Sequence, residues 1–101
     1  MAQVTIVYWR DIPAQVIVGR GRRAAKTPLP ERFEQAIDRA AMVSGMAGTD
    51  DYLSEWHRAA PYEIEGEDAV VAETEAKRLA DAYDQERLKA LISNNGRESA
   101  E

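Results

Sequence analysis

Arg20, Arg22, Arg23 and Lys26 lie within seven residues of one another, directly after an apolar run, and form the densest cluster of chemically directed side chains in the sequence. Guanidinium forks match the oxygens of phosphate and carboxylate. Gly19 and Gly21, on either side of Arg20, allow a bend that turns backbone N–H groups outward to assist. The spacing is not that of a dinucleotide fingerprint, because a third glycine is missing and Pro28 and Pro30 separate the bend from the next helix. It is not a P-loop either, since Gly-Lys-Ser/Thr occurs nowhere. Two uses remain open: a site for an acidic protein partner or anionic ligand, or a solvated loop that balances the chain's own acids.

The charge distribution is compatible with both. Residues 1–49 hold 7 Lys/Arg against 4 Asp/Glu, and residues 50–101 hold 6 against 14, so +3 and −8 give the net charge of −5. Tyr8 and Trp9 near the cluster raise the question of nucleic acid, but a broad positive field is lacking, and a core or interface role suits these rings better. Nucleic acid is therefore not an expected partner.

Other reactive chemistry is sparse. Cysteine is absent, which excludes thiol nucleophiles, thiolate metal ligands and disulfides. His57 is the sole histidine, with Glu55, Asp50 and Asp51 near it, whereas a metal or catalytic site needs several convergent groups. No serine or threonine stands in a nucleophile elbow. No cofactor motif and no metal site are expected; activity from the chain alone is not expected, and a subunit of an enzyme completed only in a complex stays open.

These residues must be positioned by a small α+β domain over 1–96, with 97–101 as a fraying tail. Gln3–Trp9 and Ala14–Arg20 are rich in β-branched and aromatic residues and predict a β-hairpin, with Arg10–Pro13 as a four-residue connection. Val4, Ile6 and Tyr8 share one face; Thr5, Val7 and Trp9 share the other. Tyr8 and Trp9 are expected across from Gln15 and Val16. Residues 22–30 read as loop, followed by a helix from Glu31 to about Ala47. Thr49 caps a short helix over Asp50–His57, Tyr62–Glu65 alternates as a brief third strand, and a long helix spans about 67–92.

A hairpin alone exposes an unpaired edge, and packed helices cannot satisfy it. That edge predicts a protein partner or a homodimer, with Trp9, Arg10 and Asp11 at the turn and Arg20, Arg22, Arg23 and Lys26 as the binding residues. Internal pairing of Arg10 and Asp11 is the plainer alternative. The alternative ligand is a small polyanion, folate-like or phosphorylated. The N-terminal apolar run is too short for a signal peptide or a membrane span, so no membrane association and a cytoplasmic location are expected.

Trp9-Arg10-Asp11-Ile12-Pro13-x-Gln15-Val16, with Lys26, Leu29, Arg32-Phe33, Ala36-Ile37-Asp38, Ala40-Ala41 and Asp50-Asp51-Tyr52-Leu53-x-x-Trp56, resembles the small bacterial domain family termed virulence factor. The resemblance covers nearly the whole chain, and Trp-Arg-Asp-Ile-Pro is its most specific part. The module also occurs within larger conserved virulence factor C proteins. The resemblance implies no reaction and no catalytic residues. It implies at most an accessory role near folate- and cobalamin-linked one-carbon metabolism or methionine synthesis.

Overall fold

The structure is a computed structural model that describes residues 2–97. In chain order the elements are β1 (Ala2–Trp9), β2 (Ile12–Val18), a 3-10 turn (Gly21–Arg23), β3 (Ala25–Pro28), α1 (Glu31–Val43), α2 (Asp50–Ser54), β4 (Trp56–Arg58), β5 (Tyr62–Ile64), α3 (Asp68–Ala82) and α4 (Gln85–Ser93). The α+β class and the N-terminal hairpin follow the sequence pattern. Residues 98–101, most of the expected tail, lie outside the described residues.

The β1–β2 link is shorter than expected. Only Arg10 and Asp11 form the turn, because Ile12 and Pro13 join the ladder opposite Trp9 and Tyr8. Tyr8 and Trp9 therefore do not face Gln15 and Val16. Proline is tolerated here because the ladder is irregular: Val7 faces Gln15, Tyr8 faces Pro13, and Ala14 is left over as a bulge. The Ala14 carbonyl turns aside to accept the Leu29 N–H at 3.1 Å.

Neither hairpin strand keeps a free edge. Ala25–Pro28, read as loop, pairs with β2; four residues without apolar alternation leave no strand signal. On the far side of β1, β5 pairs with Ala2–Val4, β4 pairs with Val7–Trp9, and the Ala59 N–H joins them by donating to the Ile6 carbonyl at 3.0 Å. The third strand appears where alternation placed it. β4 replaces the last turn of the expected 50–57 helix. The product is one antiparallel sheet of five strands, and its open edges belong to β3 and to the outer sides of β4 and β5.

Two helices differ from expectation. α1 stops at Val43 because Gly45 adopts φ 77° and the Met46 N–H returns to the Ala41 carbonyl at 2.8 Å. The single helix expected over 67–92 is two. Tyr83 leaves the helical region, and Asp84 caps α4 by accepting the Arg87 N–H at 2.9 Å. This break folds α4 back along α1.

Strand alternation then sets the layers. Ala2, Val4, Ile6, Val16 and Val18 point to the face covered by α3, whose Val71, Ala72, Ala76 and Leu79 are buried. The opposite face is covered only at the turn end, where Trp9 and Ile12 are fully buried. Tyr52 of α2 stacks near Trp9, with ring centroids 5.6 Å apart. Gly96, just after α4, stands between the Trp9 ring and Ala40 of α1.

Gly96 is required twice over. Its φ is 85°, and an added Cβ would lie 2.8 Å from the Trp9 ring. Gly45 has a similar φ of 77° but faces open space. Gly96→Ala should therefore cost about 2–4 kcal/mol, the sum of backbone strain and overpacking, and Gly45→Ala only about 1 kcal/mol. Urea unfolding midpoints of the two variants check the difference.

Candidate functional site

The residues expected at the turn are mostly structural. Trp9 is fully buried and its indole Nε1–H donates to the Tyr52 carbonyl at 2.9 Å. It presents no surface to a partner, which corrects its assignment as a binding residue. Arg10 is also buried, at 7% exposure, and sits in the left-handed region at φ 52°. Its Nη1 donates to the Asn95 carbonyl at 2.7 Å, its Nη2 reaches Met46 Sδ at 3.1 Å, and its guanidinium lies 5.2 Å from the Trp9 ring centre. Arg10 Nε is 3.4 Å from Glu55 Oε1, an ion-pair contact without hydrogen-bond alignment.

The backbone of the turn is equally engaged. Arg10 N–H donates to the Glu55 carbonyl at 3.1 Å, Asp11 N–H donates to the Gly96 carbonyl at 2.8 Å, and His57 Nε2 lies 2.7 Å from the Arg10 carbonyl. Asp11 itself is half-buried. Arg10 is thus the internally paired residue of the plainer alternative, which corrects its placement in a binding surface.

The four loop cations behave differently. On the sheet face opposite α3, away from the turn, Gln3, Thr5, Ile17, Lys26 and Arg58 surround a cavity of about 340 Å³, closed at one side by Gly19, Arg20 and Gly21. The register explains the grouping: Thr5 pairs with Ile17 and Ile17 with Lys26, while Arg58 pairs with Val7 one row away. Cross-strand partners share a face. Arg20 Nε and Nη2 both donate to Gln3 Oε1, at 3.0 and 2.8 Å, which fixes the guanidinium at the rim. Arg22 and Arg23 stand exposed on the 3-10 turn beside it. Among the described residues, none of Arg20, Arg22, Arg23, Lys26 and Arg58 is in an ion pair. Two acids are near: Asp68, whose Oδ2 packs against Gly19, and Glu63, paired across from Gln3.

Arg58 and Gln3 belong to this site and escape sequence reading. Arg58 is 32 residues from Lys26 with no periodicity linking them, and only the β1–β4 pairing brings the two to one face.

A second titratable group is closed on itself. Tyr62 Oη donates to Glu75 Oε1 at 2.5 Å, and Arg78 Nη2 donates to the same oxygen at 2.9 Å. Burial pushes the Tyr62 phenol up to about 12, aided by the bond to Glu75. Burial also acts to raise the Glu75 carboxyl, but the hydrogen bonds from Arg78 and Tyr62 outweigh it and leave it below its ordinary value. The trio fastens β5 to α3. Among the described residues, no three His, Asp or Glu side chains converge as a metal site. None of the described helices is long and apolar enough to cross a membrane.

The family described as Virulence factor matches residues 7–92, most of the chain, and the protein belongs to that family. No curated protein and no solved structure matches it.

Two outcomes follow from these contacts. Arg10→Ala should lower unfolding free energy by about 3 kcal/mol, because the Glu55 carboxylate, the Asn95 carbonyl and the Met46 sulfur lose a largely buried cation. Calorimetric or urea unfolding measures it. For Glu75 the folded carboxyl is more acidic than the unfolded one, whose ordinary value is 4.5. Its stabilisation is complete above that pH and is lost as pH falls through the lower folded value. Glu75→Gln should therefore flatten the acid side of the stability-versus-pH curve, and an unchanged acid limb would contradict this assignment.

Proposed function

We propose that this Virulence factor family domain is a non-catalytic accessory protein that binds an acidic segment of a protein partner on the cationic half of its sheet. The supporting observation is a set of cations in no ion pair among the described residues: Arg20, Lys26 and Arg58 line one polar cavity, and Arg22 and Arg23 stand beside it, on a chain of net charge −5. On a chain that carries 18 acidic side chains, a group of cations that no described acid pairs has charge complementarity to an anion. The edge of the β1–β2 hairpin takes no part, since β3, β4 and β5 occupy it. The open edge of β3 lies beside the cations instead, so an extended acidic segment can add to β3 while its carboxylates meet Lys26 and the arginines. Pro28 limits that pairing to the first residues of the strand.

The cavity itself favours a second reading. Its size suits a small polyanion, phosphorylated or folate-like, clamped by Arg20, Lys26 and Arg58.

Paired charge reversal separates these readings from a merely solvated loop. Lys26→Glu with Arg58→Glu should abolish salt-sensitive co-purification of a partner from the native host, while Arg39→Glu on α1 should leave it intact. If a metabolite is the ligand, the same double change should remove the rise in melting temperature that wild type shows with pyrophosphate or a polyglutamylated folate. Wild-type behaviour of the double variant in both assays overturns the proposal.

A further inference from the structure

On the same sheet face, toward the hairpin turn, lies a cavity of opposite character. It has a volume of about 290 Å³ and is lined by Tyr52, Trp56, Glu34, Asp38, Ile37 and Leu29, with Gln15 and Pro28 on the sheet side. Tyr52 and Trp56 meet at a right angle, with ring centroids 6.2 Å apart and planes at 86°. Neither wall is loose. Tyr52 packs on the buried Trp9 ring and its carbonyl holds the Trp9 indole N–H, while Trp56 is a β4 residue paired opposite Trp9. Glu34 and Asp38 are one helical turn apart on α1, both exposed and neither bonded to a described residue. No lysine or arginine lines this cavity.

We propose that this cavity binds an ammonium or guanidinium group on an aliphatic stem. Two perpendicular aromatic faces attract a cation through their ring quadrupoles, and two carboxylates at the mouth supply donors' partners and charge. Ile37 and Leu29 suit the methylenes that carry such a head group. An anion would meet Glu34 and Asp38. A purely apolar ligand would strip water from both carboxylates without compensation. A bare metal ion would find too few oxygen ligands, and no three acidic or histidine groups converge among the described residues.

The position supports the same chemistry. Gln15 and Pro28 of this cavity stand two residues along their strands from Ile17 and Lys26 of the cationic one, about 7 Å away. The chain holds acids at one end of a face and cations at the other and neutralises neither with the other. The basic head group can come from a side chain of the partner that meets the cations, or from a free polyamine. The binding chemistry here does not depend on the proposed role of the cationic patch.

The test is an NMR titration of nitrogen-labelled protein, read at the indole N–H of Trp56, with the buried Trp9 as internal control. The probes are the blocked tripeptide acetyl-Gly-Lys-Gly-amide, its neutral acetyl-lysine counterpart, and spermidine. Saturable movement of the Trp56 signal by a cationic probe is expected, with none from the acetyl-lysine peptide. Binding should weaken about tenfold in Glu34→Gln with Asp38→Asn. Response to the lysine peptide alone assigns a side chain as the source; response to spermidine alone assigns a free amine. The Lys26→Glu with Arg58→Glu variant should titrate as wild type does, so failure of the cationic patch leaves this result readable. No saturable movement from either cation, or equal movement from the neutral peptide, overturns the proposal.

Discussion

The turn between β1 and β2 is fastened on every side, and the rest of the molecule is arranged around that fastening. Arg10 adopts a backbone conformation that costs a non-glycine residue roughly 1–3 kcal/mol. It persists because its N–H, carbonyl and guanidinium are all engaged by segments distant in sequence: Glu55 and His57 from the α2–β4 junction, Asn95 from the turn after α4. Asp11 N–H adds a bond to Gly96. Trp9 fills the space beneath, held by Tyr52 and capped by Gly96, where an added Cβ would crowd the ring. One short peptide thus sets where α1, α2, β4 and the end of α4 must meet. The Trp-Arg-Asp-Ile-Pro sequence is a structural clasp, with Ile12 buried beside Trp9 and Pro13 placed at the bulge.

The clasp also decides which charges remain for binding. It consumes Arg10 and draws in Glu55, which Arg97 approaches at 3.5 Å as well. The cations after β2 have no such internal task. They sit where the sheet face is uncovered, because α1, α2 and α4 gather at the turn end and α3 lies on the opposite face. On a predominantly acidic body, such a cationic region would repel wrong orientations of the proposed acidic partner and draw the right one. The acidic, aromatic cavity next to it gives the face polarity along the strands. A partner would then be read by the order of its charges, not only by their sum.

Much of this was legible in the sequence, and the failures have physical reasons. The β-branched runs, the N-terminal acids of α1, the Thr49 cap and the alternation at Tyr62–Ile64 each rest on local preference, and each element formed. β3 and β4 are only four and three residues long and exist through pairing, so nothing local announces them. The break at Tyr83-Asp84 carries no glycine or proline; an aspartate inside a helical pattern reads as a surface residue until tertiary packing makes it a cap. Of the site, the loop cations were visible as a cluster, whereas Arg58 and Gln3 join it only through long-range register. Trp9 and Arg10 drew attention as a surface pair because an aromatic and an arginine at a turn look the same whether they face a partner or their own core.

Amide hydrogen exchange at Arg10 and Asp11 tests this account most directly. A clasped turn predicts that both amides are protected to within about tenfold of the Thr5 and Val16 amides, which face bonded ladder partners, since all of them open only with the sheet. Exchange at Arg10 and Asp11 near the rate of an unstructured chain, with Thr5 and Val16 still protected, would show a free hairpin tip and contradict it.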